Sequence, residues 1–328
     1  MEIKKTDITP QLVKLKDIDT SPGPYCMTFG FDLNPLILSI ESVGLINSPL
    51  LIEERNGILT IVAGYRRINA LKSMGCHKIP CRVLPESGLS PLESLLTNLH
   101  DNLVTRKLNE VEKGMVLNRL DKMVSRPEII EHYMPLLDLP SHEPTLLMYV
   151  NIEARLEKEI KEYLVQGPLS LQSVDLLLKM EHDARTSVAK VISSLKFNIN
   201  QQRQFIDYII DITNANKISI QELLHSNSIQ NIISDTQMNN PQKGRAVLQV
   251  LKSRRYPLLV QSEMVFKKMV SGLDLPKGVN ISAPPYFESP QYRLEVLFKD
   301  GKQLAENIKR LSCTRGLEGL RNPWEEGV

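Results

Sequence analysis

The sequence has little that could staple it covalently. Its four cysteines, Cys26, Cys76, Cys81 and Cys313, are too few and too scattered for a disulfide framework in a chain of 328 residues. Cys76, His77 and Cys81 lie close together, but no second ligand pair at zinc spacing follows, so the thiols read as structural. The six histidines (His77, His100, His132, His142, His182, His225) are strewn along the chain without a metal or nucleophile signature, and no hydrolase triad can be argued from them. No apolar run approaches the length of a membrane span, and Met1-Glu2-Ile3-Lys4-Lys5 lacks a signal-peptide apolar core. The expectation is a cytoplasmic protein with no membrane partner. A net charge of +2 neither demands nor excludes nucleic acid, so the clustering of charge matters more than its sum. Internal repeats and long low-complexity tracts are also missing.

What is present is an ordinary globular composition, 42% hydrophobic and 24% charged, in a chain long enough for two or three domains. The most informative stretch is 44–84. Residues 50–54 and 59–63 read as two short apolar strands joined by Arg55-Asn56-Gly57, an Asn-Gly hairpin signal. The second strand runs into Ala63-Gly64-Tyr65-Arg66-Arg67-Ile68-Asn69-Ala70. From Arg66 on, Ile68, Leu71 and Met74 fall at helical spacing, and Gly75 is a helix stop. A strand therefore passes through glycine into a helix whose first turn carries two arginines. Such a joint suits a phosphate, because the free N–H groups of a helix start point at the anion and guanidinium forks bind its oxygens. The bland alternative is a strand–helix joint with two solvated arginines.

The surroundings favour the phosphate. Asn34-Pro35 starts a short helix through Leu36, Ile37, Ile40 and Val43, Gly44 ends it, and a closing strand spans 79–84. This order, with the Gly64, Arg66, Arg67 and Ala70 pattern, resembles the N-terminal domain of the ParB/sulfiredoxin superfamily. In ParB-type proteins these positions form the box that holds nucleotide phosphates, so the resemblance implies nucleotide binding at Gly64, Tyr65, Arg66, Arg67 and Ala70. Sulfiredoxins carry a reactive cysteine where this chain has Tyr65, so the resemblance does not extend to sulfinic acid repair. ParB proteins often place an arginine in the segment before the first helix, and none occurs between Thr20 and Leu33.

A helix opened by Ser90-Pro91 runs into His100-Asp101-Asn102-Leu103-Val104-Thr105-Arg106, and Leu108-Asn109-Glu110-Val111-Glu112 begins the next. These residues resemble the second ParB motif, an acid and asparagine followed by arginine and then a Leu-Asn-x-x-Glu helix start. The resemblance implies that Asn102 helps to hold Mg²⁺, Asp101 supports hydrolysis and Arg106 meets phosphate, with Arg106 one residue later than usual and Asn98 as an alternative register. A polar helix–helix junction is the competing explanation.

Residues 109–225 read as almost wholly helical, with amphipathic stretches at 127–137 and 144–164, an i,i+4 pair of Glu157 with Lys161, a stop at Gly167-Pro168 and a restart at 169–174. The order resembles a KorB-type helix-turn-helix domain. The segment matching its recognition helix, about 141–152, has no arginine or lysine, and Asn151 is its only amide, so packing competes with DNA reading there. Basic residues gather instead at Lys243, Arg245, Lys252, Arg254 and Arg255, then Lys267 and Lys268, opposed only by Glu263; this stretch is a candidate for phosphate-backbone contacts or a solvated face. The Asn-, Ser- and Gln-rich run 226–241 reads as a linker. Beyond it come a strand at 279–283 and a strand in which Tyr292, Leu294, Val296 and Phe298 alternate with Arg293, Glu295 and Lys299. A helix with Leu304, Ile308 and Leu311 and a loose tail containing Trp324 complete the chain.

The expected architecture is an α+β ParB/sulfiredoxin-like nucleotide-binding domain at 1–108, an all-α helix-turn-helix-type domain at 109–225, and a C-terminal module at 226–328 ending in strand-strand-helix. By resemblance the ligand is CTP with Mg²⁺, the partners are DNA, a second copy of the chain and a partner ATPase, and any enzymatic activity is at most a slow nucleoside triphosphatase. The function implied is a nucleotide-switched, DNA-associated protein of partition or transcription regulation. Two alternatives stay open: a nucleotide-dependent small-molecule phosphotransferase of the same fold, and a protein-interaction module that has lost nucleotide binding.

Overall fold

A computed structural model describes residues 8–320 except Asn56 and Pro290. Two compact units emerge, residues 1–203 and 204–328.

The first unit begins with a five-stranded mixed sheet. Its strands are β1 (Gln11–Lys14), β2 (Ile18–Asp19), β3 (Leu50–Glu53), β4 (Leu59–Ala63) and β5 (Lys78–Pro85), in the order β1-β5-β3-β4-β2. β3 and β4 pair antiparallel with a register shift at Leu50/Leu51, while β3–β5 and β2–β4 are parallel. β4 is buried along its whole length, as its unbroken Leu-Thr-Ile-Val-Ala run requires of a strand covered on both faces. On one face α1 (Asn34–Val43) and α2 (Tyr65–Ser73) contribute Ile40, Ile68, Ala70 and Leu71 to a core shared with Val13, Leu51, Ile61, Ile79 and Cys81. Burial raises the Cys81 thiol to about 12, so it packs as a small apolar group. On the other face Leu50, Ile52, Val62 and Leu84 form a second cluster, and α3 (Pro91–Thr105) lies against β4.

Two capping boxes set the starts of the helices that follow. Ser90 and Glu93 satisfy the first turn of α3, and Asn109 and Glu112 that of α4 (Glu110–Leu120). Next come α5 (Arg126–Glu128), continued by a π turn at Ile129–Tyr133 and a 3-10 turn at Pro135–Leu137, then α6 (Glu143–Arg155), α7 (Lys158–Gln166), α8 (Leu171–Leu177) and α9 (His182–Leu195). The helix expected over 127–137 is thus three short turns, because Pro135 cannot donate to an α-helical ladder. The stretch expected over 144–164 breaks at Leu156, whose backbone is extended, into α6 and α7. Gly167 ends α7 in the left-handed conformation, φ 93°, and Ser170 caps α8.

The expected Glu157–Lys161 pair does not form. Glu157 is the residue before α7 and pairs with Arg185, while Lys161 reaches back to Glu153 at 2.7 Å. α6 lays Leu146, Tyr149 and Ile152 against α4, and Tyr149 donates its hydroxyl to Glu110. α10 (Ile199–Asn216) contains the boundary between the two units.

The second unit holds α11 (Ile220–Leu224), α12 (Asn227–Ser234), α13 (Asn240–Arg255), α14 (Pro257–Ser271), a hairpin of β6 (Val279–Ser282) and β7 (Arg293–Val296), and α15 (Gly301–Ser312). The run 226–241 is no linker: it contains α12, and Asn239 with Gln242 forms the capping box of α13. Asn239 thus serves a helix start, while the Ser226 hydroxyl donates back to the Leu223 carbonyl. The strand alternation at 292–298 does not bury one face, since Leu294 and Phe298 are half exposed, as is Ile308 of α15. Trp324 lies outside the described residues.

Gly114 fixes how closely α4 approaches α6. A Cβ there would meet the Tyr149 carbonyl oxygen at 2.7 Å, a backbone atom that cannot step aside. Gly114→Ala should lower the unfolding free energy by about 2 kcal/mol despite alanine's better helix propensity, read from urea denaturation. An unchanged midpoint would contradict the close crossing.

Candidate functional site

β4 delivers the chain to Gly64 with φ 95° and ψ 23°, a left-handed conformation, and α2 starts at once. Only glycine fits. Besides the backbone conformation, a Cβ would stand 3.0 Å from the Pro49 Cα. No side chain caps α2, and its first internal bond is from the Ile68 amide to the Gly64 carbonyl. The amides of Tyr65, Arg66 and Arg67 are therefore the orphan donors of the helix start, at the positive end of its dipole.

The helix start lines a cleft of about 460 Å³ whose walls come from α1, the 44–47 loop, the start of α2 and the end of α3. Gly64, Tyr65, Arg66, Arg67, Asp101, Asn102 and Arg106 all line it. Ala70, the remaining member of the box, is fully buried in the core beneath α2 and does not line the cleft. The alternative residue Asn98 also reaches the wall, and its side-chain amide donates to the Tyr25 carbonyl at 2.7 Å.

Glu112 organises two of the three guanidinium groups, those of Arg66 and Arg106. Its side chain, 1% exposed, accepts from Arg66 Nη2 at 3.1 Å and Arg106 Nη1 at 2.5 Å, and from the backbone amides of Phe29 (3.1 Å) and Asn109 (3.0 Å). One carboxylate thus holds two cationic side chains, caps α4 and pins the 27–29 segment. Arg106 adds bonds to Asn102 Oδ1 (2.8 Å) and the Met27 carbonyl (3.1 Å), and Asn102 in turn donates to Asn98 Oδ1 at 2.8 Å. Arg67 donates to the Asn47 carbonyl at 2.9 Å and is paired with Asp101. The Arg66 guanidinium stands 5.0 Å from the Phe31 ring centroid, and the Phe31 ring meets Tyr65 edge-on.

Arg66 shows what the site lacks. Burial first, and the neighbouring Arg106 charge second, lower its pKa from the ordinary value, and its Nε is buried without an acceptor among the described residues. Two arginines near one carboxylate leave positive charge uncompensated, and a buried donor without a partner is costly. An anion with several oxygens would relieve both.

For a divalent cation the donor set is narrow. Asp101 supplies the carboxylate at the α3 end, with Oδ2 engaged by Arg67, and the Asn102 oxygen already accepts from Arg106. That set fits an ion such as Mg²⁺, which keeps several waters and needs one or two carboxylates when phosphates supply other oxygens.

The candidate DNA contacts lie elsewhere, in the second unit. Lys252 pairs with Glu263 at 2.7 Å, Arg255 with Asp211 at 2.9 Å, Lys243 donates to the Ile233 carbonyl, and Arg254 donates to Ser226 and Ser228. Glu263 is not their only acid, as the sequence suggests, because Asp211 comes from α10. Arg245 is exposed.

Sequence reasoning names Glu112 only as part of a helix start. Its place in the Leu-Asn-x-x-Glu box is the signal that could have found it. Asn47 and Phe31 carry no signal at all, since they reach the site only through the fold.

No protein-family model matches the chain. Among curated proteins, the probable chromosome-partitioning protein ParB of Chlamydia muridarum is 31% identical over 197 residues, 56% of this chain and 65% of that protein. ParB of Chlamydia trachomatis serovar D is 27% identical over 58% of this chain and 67% of its own, and that of Vibrio cholerae 22% identical over 57% and 61%. The chain thus spans 61–67% of the length of these relatives, and less than two thirds of the Chlamydia muridarum protein. Solved structures of C-terminally truncated ParB from Caulobacter crescentus, one complexed to the centromeric parS site and one with CTP-γ-S, align with 60% and 56% of this chain and 98% of each solved chain. Their identities are 17% and 22% and their TM-scores 0.34 and 0.26, too low for the superpositions to bear on function.

The Glu112 hub has a measurable consequence. Glu112→Ala leaves two partly buried guanidinium groups without their anion and should lower the unfolding free energy by about 3 kcal/mol, whereas Asp101→Asn, at a more open pair, should lower it by less than about 1 kcal/mol. Equal losses in urea denaturation would contradict the hub. With the glycine-arginine box at its cleft and these relatives in sequence, the chain is similar to ParB proteins over a little more than half of its length.

Proposed function

We propose that this chain is a CTP-binding, DNA-associated protein of chromosome partition, in which nucleotide occupancy switches a dimer between an open and a DNA-enclosing state. One observation carries the proposal: an uncapped helix start behind a left-handed glycine, with Arg66, Arg67 and Arg106 turned to the same cleft. Phosphate oxygens would accept from the amides of Tyr65, Arg66 and Arg67 and from the Arg66 Nε that lacks an acceptor. Mg²⁺, held by the phosphates with Asp101 and Asn102, would offset their remaining charge.

Hydrolysis under this reading is slow. Asp101 is the acid at that end of the cleft, and its carboxylate is paired with Arg67, an arrangement that positions the arginine more than it frees a base. Turnover would then time the open and closed states.

The choice of CTP comes from the resemblance of the box to ParB. Dimerisation is supported by the half-exposed Leu294, Phe298 and Ile308 of the second unit, an apolar set that a second copy would cover. DNA and a partner ATPase complete the proposed partners. No helix among the described residues is long and apolar enough to cross a membrane.

Isothermal titration with CTP, ATP and GTP in Mg²⁺ tests the reading. CTP should bind, and Arg67→Ala should weaken it at least about tenfold, the loss of roughly one charge-assisted pair. Binding of no nucleotide would favour an interaction module, and ATP preference with phosphorylation of an acceptor would favour a phosphotransferase.

A further inference from the structure

A second concavity, of about 580 Å³, lies beside the last turn of α2, while the phosphate box occupies its first turn. Lys14, Lys16, Lys72 and Lys78 line it, with His77 and Thr20. It shares only α2 with the nucleotide cleft.

Lys14 and Lys78 stand directly opposite each other in the antiparallel pairing of β1 with β5. Like charges in that relation destabilise a sheet. The flanking pair, Val13 with Ile79, faces the core, so the two lysines share the solvent side. A lysine on an edge strand guards against edge-to-edge pairing, which accounts for Lys14 on β1. It does not account for Lys78 on the interior strand β5, nor for Lys16 and Lys72 converging on the same place.

Among the described residues none of the four ammonium groups takes part in an ion pair, and Lys72 donates to the neutral Thr20 hydroxyl at 2.9 Å. The nearby Asp19 is turned onto the Ser21 amide and hydroxyl, at 2.9 and 2.7 Å. The contrast with α13 is direct, since Lys252 and Arg255 there are spent on Glu263 and Asp211. α6, where a recognition helix is expected, has Arg155 at its end as its one basic residue.

We propose that the lysine groove binds the phosphodiester backbone of double-stranded DNA without reading its sequence. Lysine is a point charge suited to phosphate contacts that carry no sequence information. Repulsion between Lys14 and Lys78 is the local conflict that a bound polyanion removes. The inference rests on the proposed DNA association but needs no nucleotide.

The test is fluorescence anisotropy of the full-length protein with a random-sequence duplex, without nucleotide, over a range of salt. Changing all four residues (Lys14→Gln, Lys16→Gln, Lys72→Gln, Lys78→Gln) should weaken binding at least about tenfold at low salt. It should also reduce the slope of log K against log salt by about 3.6, since each phosphate contact contributes about 0.9. Lys78→Gln alone should reduce the slope by about 1 and leave the melting temperature equal to or above that of the wild type, which keeps the test valid should the fourfold variant fold poorly. A control removing equal charge at the exposed Lys277, Lys299, Lys302 and Lys309 should change neither quantity. The inference is overturned if the wild type binds no duplex, if groove and control variants behave alike, or if the groove binds inorganic tripolyphosphate in preference to duplex. Titration calorimetry with CTP on the same variants separates the two proposals: duplex binding without CTP binding by the wild type would sink the nucleotide switch and leave the groove standing.

Discussion

The first unit depends on one buried carboxylate. Glu112 closes the capping box of α4, holds Arg66 and Arg106, and accepts the Phe29 amide. Burying an anion among two guanidinium groups is favourable only when the bonds are complete. The geometry therefore prescribes where each arginine stands before any ligand arrives. Preorganisation of this kind lowers the ordering that a phosphate would otherwise have to impose. The same carboxylate links a helix of the all-α region to the segment lining the cleft, so a ligand that competes for Arg66 or Arg106 acts on both.

Positive charge in this chain is divided between groups that are spent and groups that are not. In α13 Lys243, Lys252, Arg254 and Arg255 tie neighbouring helices together. In the cleft three arginines share two carboxylates, Glu112 and Asp101, and Arg66 keeps an unsatisfied donor. In the groove beside β1 and β5 four lysines take part in no ion pair among the described residues. A net charge of +2 hides this distribution, because solvated and structural pairs cancel in the sum.

Much of the first 108 residues was legible because its signals are local. The Asn-Gly hairpin, the Gly64 joint, the period of Ile68 and Leu71 and the Ser90-Pro91 start each fall within a few residues, and all appear where the sequence put them. The convergence of Asp101, Asn102 and Arg106 on the same cleft as Arg66 and Arg67 came from resemblance, not from periodicity. What failed was long-range or compositional. Glu157 was matched to Lys161 by helical spacing, yet the break at Leu156 puts it before α7, where Arg185 reaches it. Residues 226–241 read as a linker because Ser and Asn favour turns, yet Asn239 caps α13 and the run 227–234 is helical. The Glu112 bonds span 46 and 83 positions in sequence, beyond any pattern read from one chain.

Amide hydrogen exchange of the peptide covering Gly64 to Ala70, with and without CTP and Mg²⁺, tests the central claim most directly, since the Tyr65, Arg66 and Arg67 amides have no helical acceptor. The account predicts that these three amides exchange rapidly in the free protein and slow markedly when nucleotide binds. Nucleotide binding that protects other segments and leaves these three amides unchanged would contradict it.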